Sequence, residues 1–561
     1  MTPPQPPVAN YVPAMSLPDS HEGDTLAHAD PYVNAVSPRY HRESEKLTWT
    51  QKCTRLWTVT RWRLSRTIFS VPIPILTARF DMKLGDLIIT LPLLLGLLGM
   101  AIFFTVEHEV KTSGAPATLA MIFVFVLAVR NNSLLLALTG IPFERALFYH
   151  KLFSYATIVL TVVHACAYYV APGEHVQTED KDMDYKLLTG YVSFVAMVFL
   201  CILSVNKIRR RFFELFLRSH WILFIVATVF ASLHGAPYII VGVLPWFFDM
   251  LNRLVFRARK YSHGSLRPPK VSTGIVSREQ VSVHVLPGDI TLIQFPRVRK
   301  DTGEAFEYEA GQYAFVCIPS ISYLEWHPFT FSSSPNETMV TMHIKTLGDW
   351  TKKVTIAAVD TTEYSPFDIL LDGPYGKLSV DIDTPGVYSH YVLLSGGIGM
   401  TPMRSIVNWL YTEHHEGYRP DIKNVHFVWS VRDRDLIQAL VDGTGLHHET
   451  SNHKSYFPAR IQDANEPTST FFSEFYLTRG EKDVEALLDH QLTSCLRYGS
   501  RPDTAKILRA MGEKAKEAGS TRVAVLACGP NSLVSDVVVA SITLSKEMNI
   551  HFDVHTELFD F

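Results

Sequence analysis

Six apolar runs, near 84–106, 117–138, 146–171, 187–206, 218–238 and 239–256, follow a polar N-terminal stretch and precede a half of the chain where apolar and polar positions alternate over short segments. Most of the runs approach the roughly 20 residues a helix needs to cross a bilayer. The last is short and contains Pro245. The pattern predicts six membrane spans over residues 84–258. Residues 1–45 are polar and rich in Pro, His and Asp, a composition that predicts disorder, and no basic start leads into an apolar run, so no cleavable leader is expected. Residues 46–83 set Trp49, Trp57 and Trp62 among Arg55, Arg61, Arg63 and Arg66. Such a segment suits a membrane interface, with a surface helix of a soluble domain as the alternative.

Beyond residue 265 the alternation runs through 271–276, 281–286, 290–295, 312–318, 339–345 and 367–371, punctuated by Gly and Pro. This predicts a small antiparallel β-barrel over 266–380. From about 390 the order becomes strand, Gly-rich turn, helix, strand, which predicts a nucleotide-binding α/β domain over 386–561. The expected fold is therefore a multi-domain membrane protein: a six-helix transmembrane bundle, an antiparallel barrel and a Rossmann-like α/β domain.

The net charge of −3 says little on its own, because the charges are segregated. The loop after the fourth run carries Lys207, Arg209, Arg210, Arg211 and Arg218 against Glu214, and Arg253, Arg257, Arg259 and Lys260 surround the end of the sixth. The loop after the third holds Glu174, Glu179, Asp180, Asp182 and Asp184 against Lys181 and Lys186. The positive-inside rule then puts the N-terminus and the second half in the cytosol and the acidic loop outside. Nothing resembles a nucleic-acid footprint, and no internal repeat is visible. The six cysteines form no CxxC and no zinc pattern, and none falls in an outer loop, so no extracellular disulfide framework is expected.

Four histidines stand inside the apolar runs as two pairs, His150 with His164 and His220 with His234, each fourteen residues apart. Fourteen residues is almost four helical turns, so both rings of a pair share one face, about 21 Å apart along the axis. A lone histidine in an apolar helix is usually a hydrogen-bonded core residue, but ionisable groups within a membrane are costly and point to function. Two such helices side by side offer two stacked bis-histidine sites, and neutral imidazole is a normal axial ligand of haem iron. In the inferred orientation His150 and His220 lie near the cytosolic side and His164 and His234 near the outer side. Metal transport would call for ligands clustered within a few ångströms rather than two distant levels. Arg145 sits where it could pair a haem propionate, or simply serve as a positive-inside residue.

In the second half, HPFTFSSSP (His327–Pro335) ends a strand with hydroxyl and backbone groups suited to a flavin and its phosphates, and GPYGKLS (Gly373–Ser379) follows. Next comes YVLLSGGIGMTPMRSIV (Tyr391–Val407), in which an apolar strand runs into Gly396, Gly397 and Gly399 before a helix near Pro402. Glycines there let a pyrophosphate approach the backbone at a helix N-terminus. VHFVWSVRDRD (Val425–Asp435) ends a strand with Arg432 and Arg434, either a grip on a 2′-phosphate or a solvated strand end. RVAVLACGP ends with Cys528, Gly529 and Pro530, and the chain finishes HTELFDF.

Together with HIKTLGDWT (His343–Thr351) and GSRPD (Gly499–Asp503), these features resemble the ferric reductase and NADPH oxidase superfamily over roughly residues 84–561. The resemblance implies a haem domain with two haem b groups followed by a ferredoxin-reductase-like FAD barrel and an NADPH domain. It implies that His327, Pro328, Phe329 and Thr330 hold the flavin, with Lys345 and Thr351 near its phosphates. It implies that Gly396, Gly397, Gly399 and Thr401 hold the nucleotide pyrophosphate and ribose, that Arg432 and Arg501 lie by the adenosine phosphate, and that Cys528 and Gly529 approach the nicotinamide. Family members often end in an aromatic residue over the flavin. Phe559 aligns best with it, yet two residues follow, so the cap is Phe559 or Phe561.

The implied activity moves electrons from cytosolic NADPH through FAD and both haems to an acceptor outside, in the plasma membrane. The stretch GIPFERALFYHK around His150 looks like ferric reductases, favouring ferric chelates, whereas GDWT is like the oxidases, the alternative being superoxide formation from O₂. A non-enzymatic channel or scaffold with a degenerate reductase half would lack some of these motifs, and all are present. Regulatory or oligomeric partners are not legible in the sequence.

Overall fold

The computed structural model describes residues 82–130, 143–170, 181–256, 274–298, 305–359, 367–441, 469–479 and 494–557, except Leu324 and Lys377, with scattered residues elsewhere. The polar tail, most of 46–83, the acidic loop at 171–180 and the terminal Phe559 and Phe561 lie outside the described residues. The chain divides into two compact units, one chiefly Met82–Arg257 and the other chiefly Ala258–Phe561.

The first unit is helical: α1 (Leu84–Val106), α2 (Val110–Ser113), α3 (Ala115–Leu127), α4 (Phe143–Val170), α5 (Lys181–Ser204), α6 (Asn206–Arg211), α7 (Phe213–His234) and α8 (Ile240–Phe256). Helix α1 wears its apolar side chains outward, with Ile88, Leu91, Leu95 and Ile102 exposed, while Asp86 and Thr90 are buried. That inversion suits a lipid solvent, in which polar groups must find partners inside the bundle. Among the described residues, five helices are long and apolar enough to cross a membrane, the second being Val110–Leu127. The sixth expected span is a shorter helix. A 3-10 turn at Pro237–Ile239 cuts it from α7, and Pro245 lies inside it. The second span begins earlier than the apolar run at 117–138, at Val110 of α2, and Pro116 sits in the first turn of α3, where no backbone N–H is needed.

The second unit joins two antiparallel sheets to a parallel one. Strands β1 (Ile275–Val276), β7 (Ile369–Tyr375), β4 (Tyr313–Cys317) and β5 (His327–Thr330) form one sheet in that order, and β2 (Ser282–Leu286), β3 (Ile290–Pro296) and β6 (Met339–Lys345) another. They close on a core that includes Ile293, Val316, Phe331, Met342 and Trp350. Helix α9 (Asp349–Val359) follows β6. The parallel sheet runs β11-β10-β9-β8-β12-β13, with β8 (His390–Gly396), β9 (Asn424–Val431), β10 (Phe471–Leu477), β11 (Leu496–Tyr498), β12 (Arg522–Cys528) and β13 (His551–Glu557). Helices α10 (Met400–His415), α11 (Arg434–Val441), α12 (Thr504–Glu517) and α13 (Asn531–Met548) connect these strands. Strands such as β8 are buried along their whole length, as expected of a parallel sheet covered on both faces.

Candidate cofactor sites

In the helical unit α4 packs on α3 and α1, and α7 packs on α5. The four histidines of α4 and α7 face one another in pairs. The His150 and His220 ring centroids are 6.5 Å apart, and those of His164 and His234 are 5.8 Å apart. Three rings are anchored through Nδ1. His150 reaches the Val124 carbonyl at 2.8 Å, His234 the Lys186 carbonyl at 2.7 Å and His164 the Ser113 hydroxyl at 2.8 Å. Val124 lies in the last turn of α3, where helix carbonyls lack internal partners. Two glycines back the rings of His164 and His234: a Cβ on Gly114 would stand 3.2 Å from His164 Cε1, and one on Gly190 2.8 Å from His234 Cε1. Sequence motifs point to none of Ser113, Gly114 and Gly190. Arg145 is bonded to Asp86, which also accepts from the Tyr149 hydroxyl. The charge considered for a propionate thus has a carboxylate partner on α1.

In the antiparallel sheets, His327 packs on Trp350 at a tilt with centroids 4.4 Å apart, and Phe329 stacks on the same indole at 5.8 Å. Pro328 lies opposite Phe315, and Thr330 opposite Tyr313. Tyr313 stacks in turn on Tyr375, within the GPYG segment, at 5.9 Å. Lys345 ends β6, and Thr351, near the start of α9, spends its hydroxyl on its own turn by accepting from the Leu347 and Gly348 amides at 2.9 and 3.0 Å. The serines of HPFTFSSSP are buried, and two of their hydroxyls bond within the fold. Ser332 Oγ meets His343 Nδ1 at 2.7 Å, and Ser333 Oγ meets the Tyr308 hydroxyl at 2.7 Å. Buried hydroxyls need partners, and these find them within the fold.

At the carboxyl edge of the parallel sheet, Ser395 of β8 lies beside Cys528 of β12. The glycines there are sterically required. A Cβ on Gly399 would stand 2.6 Å from the Cys528 carbonyl oxygen, one on Gly396 2.6 Å from Pro530 Cδ, and one on Gly529 2.9 Å from the Gly396 nitrogen. Gly397 has φ +57° and nothing within 4 Å of a Cβ, so it forms the open tip of the turn. Thr401 is buried in the first turn of α10 and donates to the Ile398 carbonyl at 3.2 Å. Burial, and then Glu557, push the Cys528 thiol well above its ordinary pKa, so it serves as a packed neutral group. Arg432 and Arg501 are both exposed just beyond β9 and β11, which flank β10 at this edge.

Three family profiles match the chain in succession: the ferric reductase like transmembrane component over 113–231, an FAD-binding domain over 275–379 and the ferric reductase NAD binding domain over 388–542. The chain belongs to the ferric reductase and NADPH oxidase superfamily. Among members of this superfamily it is 24% identical over 490 residues to Dual oxidase 1 of Homo sapiens, covering 80% of this chain and 30% of that one. It is 26% identical over 455 residues to a superoxide-generating NADPH oxidase heavy chain of Dictyostelium discoideum, covering 75% and 82%. To Ferric reduction oxidase 7, chloroplastic, of Arabidopsis thaliana it is 28% identical over 362 residues, covering 60% and 45%. The chain thus spans under a third of the human relative's length.

The residues fit the groups this superfamily implies. Imidazole–metal bonds of about 2.0–2.1 Å, as for zinc, set facing nitrogens about 4 Å apart. His164 Nε2 and His234 Nε2 are 3.5 Å apart, so a slight spreading of the rings admits one metal ion. Two facing imidazoles are the donor set with which a haem iron would be held here. For a flavin, the Thr330 hydroxyl is buried at the end of β5 with no hydrogen-bond partner among the described residues. For a dinucleotide, the tight approach of Gly396, Gly399 and Gly529 keeps side chains off the sheet edge.

Proposed function

We propose that this protein draws electrons from cytosolic NADPH, passes them through FAD and two haem b groups, and delivers them to a ferric chelate on the outer face of the plasma membrane. The observation that carries this reading is the facing of His150 with His220 and of His164 with His234, at two levels of one helical unit. When bound, the nicotinamide and flavin supply hydride transfer and the haems single-electron transfer. Oxidation of one NADPH to NADP⁺ releases two electrons and one proton, enough for two ferric chelates.

The remaining work falls to side chains. Nδ1 bonds to Val124, Lys186 and Ser113 fix three rings in the tautomer whose Nε2 is free to bind metal. His327, Pro328, Phe329 and Thr330 hold the flavin, Lys345 and Thr351 lie by its phosphates, and Phe559 or Phe561 covers it. Gly396, Gly397, Gly399 and Thr401 receive the nucleotide pyrophosphate. Arg432 and Arg501 take the 2′-phosphate, and Cys528 and Gly529 sit under the nicotinamide. We assign the haem domain to 84–258, the flavin domain to 266–380 and the nucleotide domain to 386–561, with the basic loops and both nucleotide-handling domains in the cytosol.

A superoxide-forming oxidase is the second reading, favoured by the name of the Dictyostelium relative. Liposomes containing the protein with haem, FAD and NADPH separate the two. Reduction of an impermeant ferric chelate that persists without oxygen, with little superoxide in air, supports the metalloreductase. Ferric reduction abolished by superoxide dismutase overturns it in favour of the oxidase.

A further inference from the structure

We propose that Ser113 is a positioning residue that lowers the reduction potential of the outer centre by fixing the His164 imidazole. The proposal rests on the reading of His164 and His234 as axial ligands of a haem.

Ser113 is fully buried at the end of the short helix α2. Its Oγ lies 2.7 Å from the Val110 carbonyl oxygen and 2.8 Å from His164 Nδ1. A hydroxyl has one hydrogen, and a carbonyl can only accept, so the hydrogen goes to Val110. Oγ then accepts from Nδ1–H, beside the Val110 backbone, which also hydrogen-bonds the His164 ring, and the lone pair of His164 is left on Nε2, facing His234. Because Oγ is itself a donor in a chain of hydrogen bonds, it is polarised into a better acceptor. The next residue, Gly114, lies against the same ring, where any Cβ would crowd Cε1 at 3.2 Å. The dipeptide therefore sets both the tilt and the tautomer of the imidazole.

The two levels differ in this support. Both outer rings give Nδ1–H to an oxygen, His164 to Ser113 and His234 to Lys186. At the inner level only His150 does so, since His220 Nδ1 is buried without a hydrogen-bond partner among the described residues. An Nδ1–H···O bond pushes electron density toward Nε2, raises ligand basicity and so favours the oxidised metal. Ser113 is the one side chain among these acceptors, so its contribution can be removed while the Val110 backbone beside the same ring stays in place.

The test is an equilibrium redox titration of the full-length, haem-loaded protein followed by haem absorption, with Ser113→Ala and Ser113→Thr beside the parent. The outer component is identified as the one missing from a His164→Leu variant. Ser113→Ala should keep both haems and shift the outer midpoint to a more positive value, leaving the inner midpoint and NADPH-dependent flavin reduction unchanged. Ser113→Thr should restore the parental value. An unmoved outer midpoint, or equal movement of both, overturns the proposal. Should Ser113→Ala lose the outer haem, Ser113→Cys, nearly isosteric but a weaker acceptor, decides: a positive shift supports the role and a parental value overturns it. A His164→Leu variant that retains two haems would instead sink the ligand reading itself.

Discussion

Arg404 and Glu337 form an ion pair out of water, NH2 to Oε2 at 3.3 Å, with side chains 1% and 3% exposed. Arg404 stands on α10 beside the nucleotide turn, and Glu337 lies just after the HPFTFSSSP segment. The pair ties the parallel sheet to the antiparallel ones. Asn408 donates to Glu337 at 3.1 Å and to the Phe457 carbonyl at 2.8 Å, and Ser405 donates to the Ser333 carbonyl at 2.6 Å. Removing one partner strands a buried charge, which typically costs about 3–5 kcal/mol. Arg404→Ala should destabilise by that order, and Arg404→Met with Glu337→Leu by clearly less, as read from urea unfolding of the detergent-solubilised protein. Equal losses would show that the charge left behind is not the source of the cost.

His390 opens β8, is buried, and has its pKa pushed down from 6.5 to about 4 by burial and then by Lys423 and Lys514. A depressed folded pKa means the unfolded chain takes the proton first. The neutral ring therefore contributes stability above about pH 6.5 that fades as pH falls toward 4, on the order of 1–3 kcal/mol. Denaturation midpoints measured from pH 7 to 4 should fall less steeply in His390→Asn than in the parent.

Arg432→Ala should raise the KM for NADPH at least tenfold and that for NADH little, because a lost contact to a charged phosphate is commonly worth about 1.5–3 kcal/mol. Arg501→Ala should act in the same direction. Steady-state kinetics with both nucleotides measure it, and equal losses would remove the phosphate role.

Replacing His234 with Leu should remove one haem of two while NADPH still reduces the flavin. Haem content by pyridine haemochromogen and flavin bleaching under anaerobiosis read the two halves separately. Unchanged haem content would refute the assignment.

Thr330→Val keeps shape and deletes the buried hydroxyl. If that hydroxyl bonds the flavin, FAD affinity should fall by about 0.5–1.5 kcal/mol, that is two- to tenfold, with the fold intact. Fluorescence titration of the flavin-depleted protein reads the change. Unchanged affinity would remove the contact.

The histidine pairs were legible because helical periodicity is local: spacing alone sets His150 and His164 on one face. The glycines of the nucleotide turn were legible for a similar reason, since a strand running into Gly396–Gly399 admits few conformations. What the chain order hides is contact across it. Ser113 meets His164 from 51 positions away, and Arg404 meets Glu337 from 67. Neither Ser113 nor Gly190 carries a local signature, because each acts only by what another helix brings against it. The inner partners of the serines after HPFT were hidden for the same reason, since Tyr308 lies 25 residues before Ser333 and His343 comes from β6.

A helix that carries two histidines fourteen residues apart keeps angle as well as distance. One residue inserted between His150 and His164 would turn the second ring by about 100° and advance it about 1.5 Å, away from its partner. The stretches 151–163 and 221–233 should therefore tolerate exchange of one lipid-facing side chain for another while admitting no insertion or deletion, so that their length is under stricter selection than their composition.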